Sequence, residues 1–82
     1  MKLPRDLSGT ELASLLRRYG YEITRQTGNH PRLTSTAKGI EHHITIPGQR
    51  SLRVGTLNAI LTEVASYLEM GKEELAESLF GR

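Results

Sequence analysis

The chain has 82 residues, no cysteine, and eleven Lys/Arg against nine Asp/Glu, a formal charge of +2. That length holds one small domain with a thin core, and it excludes a deep cavity inside a large α/β scaffold. The missing thiols exclude a disulfide framework, a thiolate zinc site and a thiol nucleophile.

In chain order, Ser8-Gly9-Thr10-Glu11 reads as a capping box, with Leu7 and Leu12 at the two staple positions. Leu12, Leu15, Leu16 and Tyr19 then mark one face of a helix. Gly20 supplies its left-handed stop, and Arg17 and Arg18 suit the negative end of the helix dipole. Alternation over Tyr21 to Gln26 predicts a half-buried strand, with Tyr21 and Ile23 on the inner face. Thr27-Gly28-Asn29-His30-Pro31 is a turn cluster. Arg32 to Thr36 is a second strand with Leu33 facing in. Glu41 to Ile46 is a third, closed by Pro47.

Gly48 to Arg53 is a polar loop. Leu57, Ile60, Leu61, Val64 and Leu68 mark a second helix opening near Gly55-Thr56. A short third helix follows Gly71, with Leu75, Leu79 and Phe80 as its apolar positions and Glu73, Glu74 and Glu77 near its start. The fold class is α+β: α-β-β-β-α plus a short C-terminal helix, with helices on one face of a three-stranded antiparallel sheet. One domain covers residues 1–82, with a core of 1–69 and a helical extension over 70–82. No apolar run approaches the ~20 residues that span a bilayer, and no signal-peptide core opens the chain. This points to a soluble, cytoplasmic protein that acts at its surface.

The charge is uneven. Residues 1–55 carry nine Lys/Arg and four Asp/Glu, a net of +5, and residues 56–82 carry a net of −3. The basic part is rich in arginine, whose guanidinium grips phosphate in bidentate fashion and stacks on bases. Arg25, Arg32, Lys38, Arg50 and Arg53 are the candidate nucleic-acid-binding cations. An ordinary solvated surface has the same composition, so charge alone leaves both readings open.

Histidine is the side chain suited to proton transfer near neutral pH. His30 follows Gly28 and Asn29, both tolerant of positive φ, and Pro31 pushes it into an extended conformation. It is expected at a strand edge with its imidazole exposed. In the third strand, His42 shares parity with Ile44 and Ile46, which face the helices. His43 and Thr45 take the open face, so His43 is the better candidate for contact with a ligand. Neighbours in a strand point apart, so His42 and His43 do not form a metal pair. His30 with His43 lacks carboxylate or thiolate support, and no metal site is expected. Ser35, Ser51 and Ser66 have no His-Asp partners. Gly48 and Gly55 lack the spacing of a phosphate-cradling loop, and no cofactor is expected.

The ordered set Leu3-Pro4-Arg5-Asp6-Leu7-Ser8-Gly9, Tyr19-Gly20-Tyr21, Arg25-Gln26-Thr27-Gly28-Asn29-His30, His43-Ile44-Thr45-Ile46-Pro47 and Leu52-Arg53-Val54-Gly55-Thr56-Leu57 resembles the HicA-type (YcfA-like) toxins of bacterial toxin–antitoxin pairs. The resemblance spans nearly the whole chain. It implies a double-stranded-RNA-binding-domain-like fold and an mRNA interferase that cuts mRNA and arrests translation. It also implies a HicB-type antitoxin that masks the active histidine. That histidine lies in a Gly-(Ser/Thr)-His turn, which falls on Gly28-Asn29-His30 here, with Asn29 replacing the hydroxyl residue. After Ile-Pro, family members often carry a histidine or lysine where this chain has Gly48-Gln49-Arg50, and Arg50 can stand in as a phosphate contact.

The chemistry has its own logic. The 2′-OH of RNA attacks the adjacent phosphate once its proton is taken, the leaving 5′ oxygen is protonated and the phosphorane charge is held. His30 suits one proton transfer, His43 is the remaining helper, and Arg32, Arg50 or Arg53 can hold the phosphate. A non-catalytic RNA-binding module of the same fold is the alternative. A protein-interaction domain using the acidic last helix or an open strand edge is a third reading. No membrane and no small-molecule partner is expected.

Overall fold

A computed structural model describes residues 3–81. The elements are α1 (Gly9–Leu16) with a 3₁₀ turn (Arg17–Tyr19), β1 (Glu22–Thr27), β2 (His30–Ser35), β3 (His42–Thr45), α2 (Val54–Leu68) and α3 (Lys72–Phe80). The capping box forms as its spacing predicts: Glu11 N–H donates to Ser8 Oγ at 3.0 Å, and Ser8 N–H donates to Glu11 Oε1 at 2.9 Å. Such a cap contributes about 1 kcal/mol. Gly20, at φ 84°, ends the 3₁₀ turn in the left-handed region.

The strands form an antiparallel meander in the order β1-β2-β3. Leu33 and Ser35 of β2, Ile44 of β3 and the adjoining Ile46 are buried on one side. Leu12 and Leu16 of α1, Leu57, Ile60, Leu61 and Val64 of α2, and Leu75 and Leu79 of α3 complete a single core with them. All helices therefore cover one sheet face, as the α+β reading requires. The Glu-rich last helix is docked rather than loose. Tyr19 OH donates to Ser78 Oγ at 2.6 Å, the Arg18 guanidinium donates to the Ser78 carbonyl, and Lys72 Nζ donates to Asn58 Oδ1 at 2.8 Å. Glu73, Glu74 and Glu77 face outward.

The strands differ from expectation in two places. β1 starts at Glu22, not Tyr21, and no residue in it is buried. Tyr21 is fully buried, but Ile23 is 56% exposed. Ile23 shares the face of its partner Leu33. β1 is an edge strand, however, and the core draws on residues of β2 and β3 but on none of β1. The second difference concerns the turn, which shrinks to Gly28-Asn29, so His30 and Pro31 join β2. Gly28 has φ 58° while Asn29 does not enter positive φ, the type II′ pattern that suits a two-residue hairpin. Pro31 has no N–H for the ladder, so β3 ends at Thr45, although Ile46 N–H still reaches the Pro31 carbonyl at 2.9 Å.

Candidate functional site

The sheet face opposite the helices is uncovered by any described residue. Side chains alternate along a strand, and Pro31, Leu33 and Ser35 point inward, so His30, Arg32 and Thr34 point outward. Cross-strand partners share a face. His43 (opposite Thr34), Thr45 (opposite Arg32) and Thr27 (opposite His30) therefore belong to the same outer surface.

The register of β1 against β2 shifts between Ile23 and Arg25, a β-bulge. Ile23 opposes Leu33 and Arg25 opposes Arg32, leaving Thr24 as the extra residue. Thr24 Oγ1 lies 2.8 Å from Thr34 Oγ1, which itself lies 2.8 Å from His43 Nδ1. Thr24 and Arg25 are thus both on the outer face, which strict alternation forbids. Thr24, Arg25, Arg32 and His43 line one shallow depression there. Thr24 and Thr34 carry no signal in the sequence that singles them out.

His30 stands at one end of this face, exposed, beside the turn. Its Nδ1 accepts a hydrogen bond from Gly48 N–H at 3.0 Å. A ring nitrogen that accepts carries no proton, so the neutral imidazole bears its hydrogen on Nε2. Nε2 has no hydrogen-bond partner among the described residues and faces solvent as a donor. The amide is held in place by close backbone packing. A Cβ on Gly48 would lie 1.5 Å from the Asn29 carbonyl oxygen, and one on Gly9 would lie 2.0 Å from the Pro47 carbonyl oxygen. Gly9 N–H donates to the Gln49 carbonyl at 3.0 Å, and Leu52 N–H to the Leu7 carbonyl at 2.7 Å. The start of α1, the loop after β3 and the histidine turn therefore stack backbone on backbone. By pattern alone Gly48 is a plain loop residue. Its signal was a glycine directly after the strand-ending Pro47.

His43 does not meet His30. Its partner Thr34 is four residues beyond His30 on β2, which at strand rise is ~13 Å. His43 is tied instead to Thr34, with Nε2 3.5 Å from Glu41 Oε1. Among the cations, Arg25 and Arg32 lie on the open face. Arg50 is exposed on the loop that carries Gly48, and Arg53 is the N-cap of α2. Lys38 is in the turn after β2, at the end of the sheet away from His30, with Nζ 3.1 Å from Glu69 Oε1. The ion pairs among the described residues join Lys38 to Glu69, His42 to Glu63 and His43 to Glu41, and none takes up an arginine.

His42, on the helix side, belongs to a different cluster. Its Nε2 lies 3.0 Å from Glu63 Oε2 and its Nδ1 2.7 Å from Tyr21 OH. Because the carboxylate can only accept, neutral His42 donates from Nε2 and accepts the Tyr21 O–H at Nδ1. Tyr67 stacks on the ring with centroids 4.8 Å apart. Burial raises the Tyr21 pKa above its ordinary value, and the neighbouring Tyr67 and Glu63 raise it further. Tyr21 is fully buried, so this relay joins the residue ahead of β1 to β3 and α2 and offers no hydroxyl to a substrate.

Among the described residues no three His, Cys, Asp or Glu side chains group as a metal site, and no helix is long and apolar enough to cross a membrane. Fold and site together define a small α+β module with helices on one sheet face and a histidine and uncompensated arginines on the other. Residues 9–65 match the family described as the HicA toxin of bacterial toxin–antitoxin pairs. The match covers more than half of the chain, and the chain belongs to this family. It is the toxin of a toxin–antitoxin pair, and an antitoxin is its partner. No curated protein and no solved structure matches it.

Proposed function

We propose that this toxin is an endoribonuclease that cuts messenger RNA in the cytoplasm, with His30 as its catalytic residue. The observation that carries the reading is the state of His30: exposed on the open face, anchored through Nδ1 by Gly48, and free at Nε2. In the neutral ring, Nε2–H donates to a non-bridging oxygen of the phosphate and helps hold the charge that develops there. The 2′ oxygen then bonds to phosphorus and its proton passes to water. The bond from phosphorus to the 5′ oxygen breaks, and that oxygen takes a proton from water while the Nε2–H bond stays on the phosphate. The products are a 2′,3′-cyclic phosphate and a 5′-hydroxyl. Arg50, two residues from Gly48 on the same loop, is the candidate to grip that phosphate. A HicB-type antitoxin would silence the toxin by covering His30.

Paired induction of wild type and His30→Ala in a bacterium tests the reading. Growth arrest and RNA fragments with cyclic-phosphate ends are expected from wild type only. His30 is exposed, so the variant should keep its fold by circular dichroism. Equal arrest by both proteins would overturn the catalytic assignment. RNA binding without fragments from either would make the chain a non-catalytic RNA-binding module.

A further inference from the structure

Arg25 and Arg32 face each other directly across the β1–β2 pair, on the open side, with no carboxylate on either. Like charges directly opposite each other in a sheet destabilise it. The β-bulge creates this arrangement. Without the extra residue, Thr24 would oppose Arg32 and Arg25 would turn toward the helices. The irregularity thus brings a second cation beside the first, at the expense of sheet regularity and with no internal partner to compensate. Two guanidinium groups converging on a depression with the Thr24 hydroxyl and the His43 imidazole fit an anion with several acceptor oxygens.

We propose that Arg25 and Arg32 form a second phosphate subsite, which holds a phosphodiester adjoining the one at His30. The assignment rests on the RNA-cleaving reading above and deepens it. Arg32 is two residues from His30 on the same face of β2, ~7 Å by strand rise. That spacing matches neighbouring phosphates on one RNA strand, and it is too long for one phosphate to fill both places. His43, a further two residues along, borders the subsite through its bond to Thr34. The strand therefore runs along β2, with its reacting phosphate at the turn and the next phosphate between the arginines. This makes the substrate a single strand engaged by at least two consecutive phosphates.

The test uses the full chain carrying His30→Ala, so that RNA is bound and not consumed. The probe is a mixed-base trinucleotide with two phosphates, compared with versions in which either phosphate is an uncharged methylphosphonate. Neutralising one phosphate should weaken binding at least about tenfold, the scale of a lost charge-assisted contact. In Arg25→Gln/Arg32→Gln this discrimination should vanish. On longer single strands, the dependence of log affinity on log salt should flatten by about 0.7 for the one phosphate released. The double variant should melt at or above the temperature of its parent, because a like-charge pair is removed; a fall would mark a structural role and overturn the proposal. Equal discrimination with and without the arginines would overturn the subsite and leave cleavage at His30 standing. Discrimination that needs the arginines, in a protein whose wild type cuts no RNA, would keep the subsite and overturn the catalytic reading. No binding of any trinucleotide would overturn both.

Discussion

The Gly48 amide donates to Nδ1 of His30 at 3.0 Å, and the same glycine packs so closely on Asn29 that a Cβ would fall 1.5 Å from the Asn29 carbonyl oxygen. The two contacts act together. Backbone packing fixes where the amide points, and the amide fixes which nitrogen of the ring holds the proton.

Gly48→Ala should therefore injure activity more than stability. The clash is with backbone, so the loop must shift, at a cost of about 1–3 kcal/mol in unfolding free energy. RNA cleavage should drop by more than tenfold, because a displaced amide no longer holds the ring. Nitrogen-15 spectra of the imidazole should show a weakened Nε2–H tautomer preference. An unchanged tautomer with full activity would show that Gly48 does not position His30.

The Tyr21 relay predicts an alkaline limit to stability. Its pKa is raised in the fold, so the unfolded chain gives up this proton first. Stability from this group is complete below the ordinary tyrosine value of about 10 and is lost as pH rises from there through the raised folded value. Urea midpoints should be flat from pH 8 to 9.5 and fall above it. Tyr21→Phe should lose about 1–3 kcal/mol at pH 8, because His42 Nδ1 loses its donor. Its midpoint should fall less steeply in the alkaline range.

Glu69 caps α2 at φ 59° and is the non-glycine residue at positive φ among the described residues. Glycine adopts that conformation without the Cβ cost. The Lys38–Glu69 ion pair opposes the change weakly, because it is solvent-exposed. Glu69→Gly should raise stability by up to about 1 kcal/mol, read as a higher melting temperature. A lower temperature would show that the ion pair outweighs the backbone cost.

Leu75 tests the standing of the last helix. It is fully buried in the common core. Leu75→Ala should cost about 2–5 kcal/mol by denaturant melt. Glu74→Ala, on the exposed side, should stay within about 0.5 kcal/mol.

What was legible in the sequence follows the range of the forces. The Ser8 capping box, the Gly20 stop and the opposite facing of His42 and His43 depend on residues within a few positions, and the pattern displays them. Ile23 looked buried because alternation gives a residue's face but not what covers that face. The bulge at Thr24 was hidden because register is set by the partner strand. His30 and Pro31 fall in the turn cluster by composition, whereas the pairing with β1 takes both into β2 and leaves Pro31 to end only the pairing with β3. Gly48 was silent for the same reason as the bulge: its role depends on a turn eighteen residues away. The arginines were visible as a set. Which of them share a face with His30 depended on the meander.

The stacked backbones of Gly9, Pro47, Gly48 and Asn29 also bear on how this gene would lose its toxicity. A cell burdened by the toxin can be rescued by any substitution that disarms it, and much of the surface tolerates change without harm. Two glycine codons, one at the first turn of a helix and one in a loop, are each a single base from a side chain that cannot fit. Survivors selected under induction should therefore include changes at Gly9 and Gly48 beside those at His30. The Gly9 class would silence the protein from a residue that touches neither the histidine nor the open sheet face.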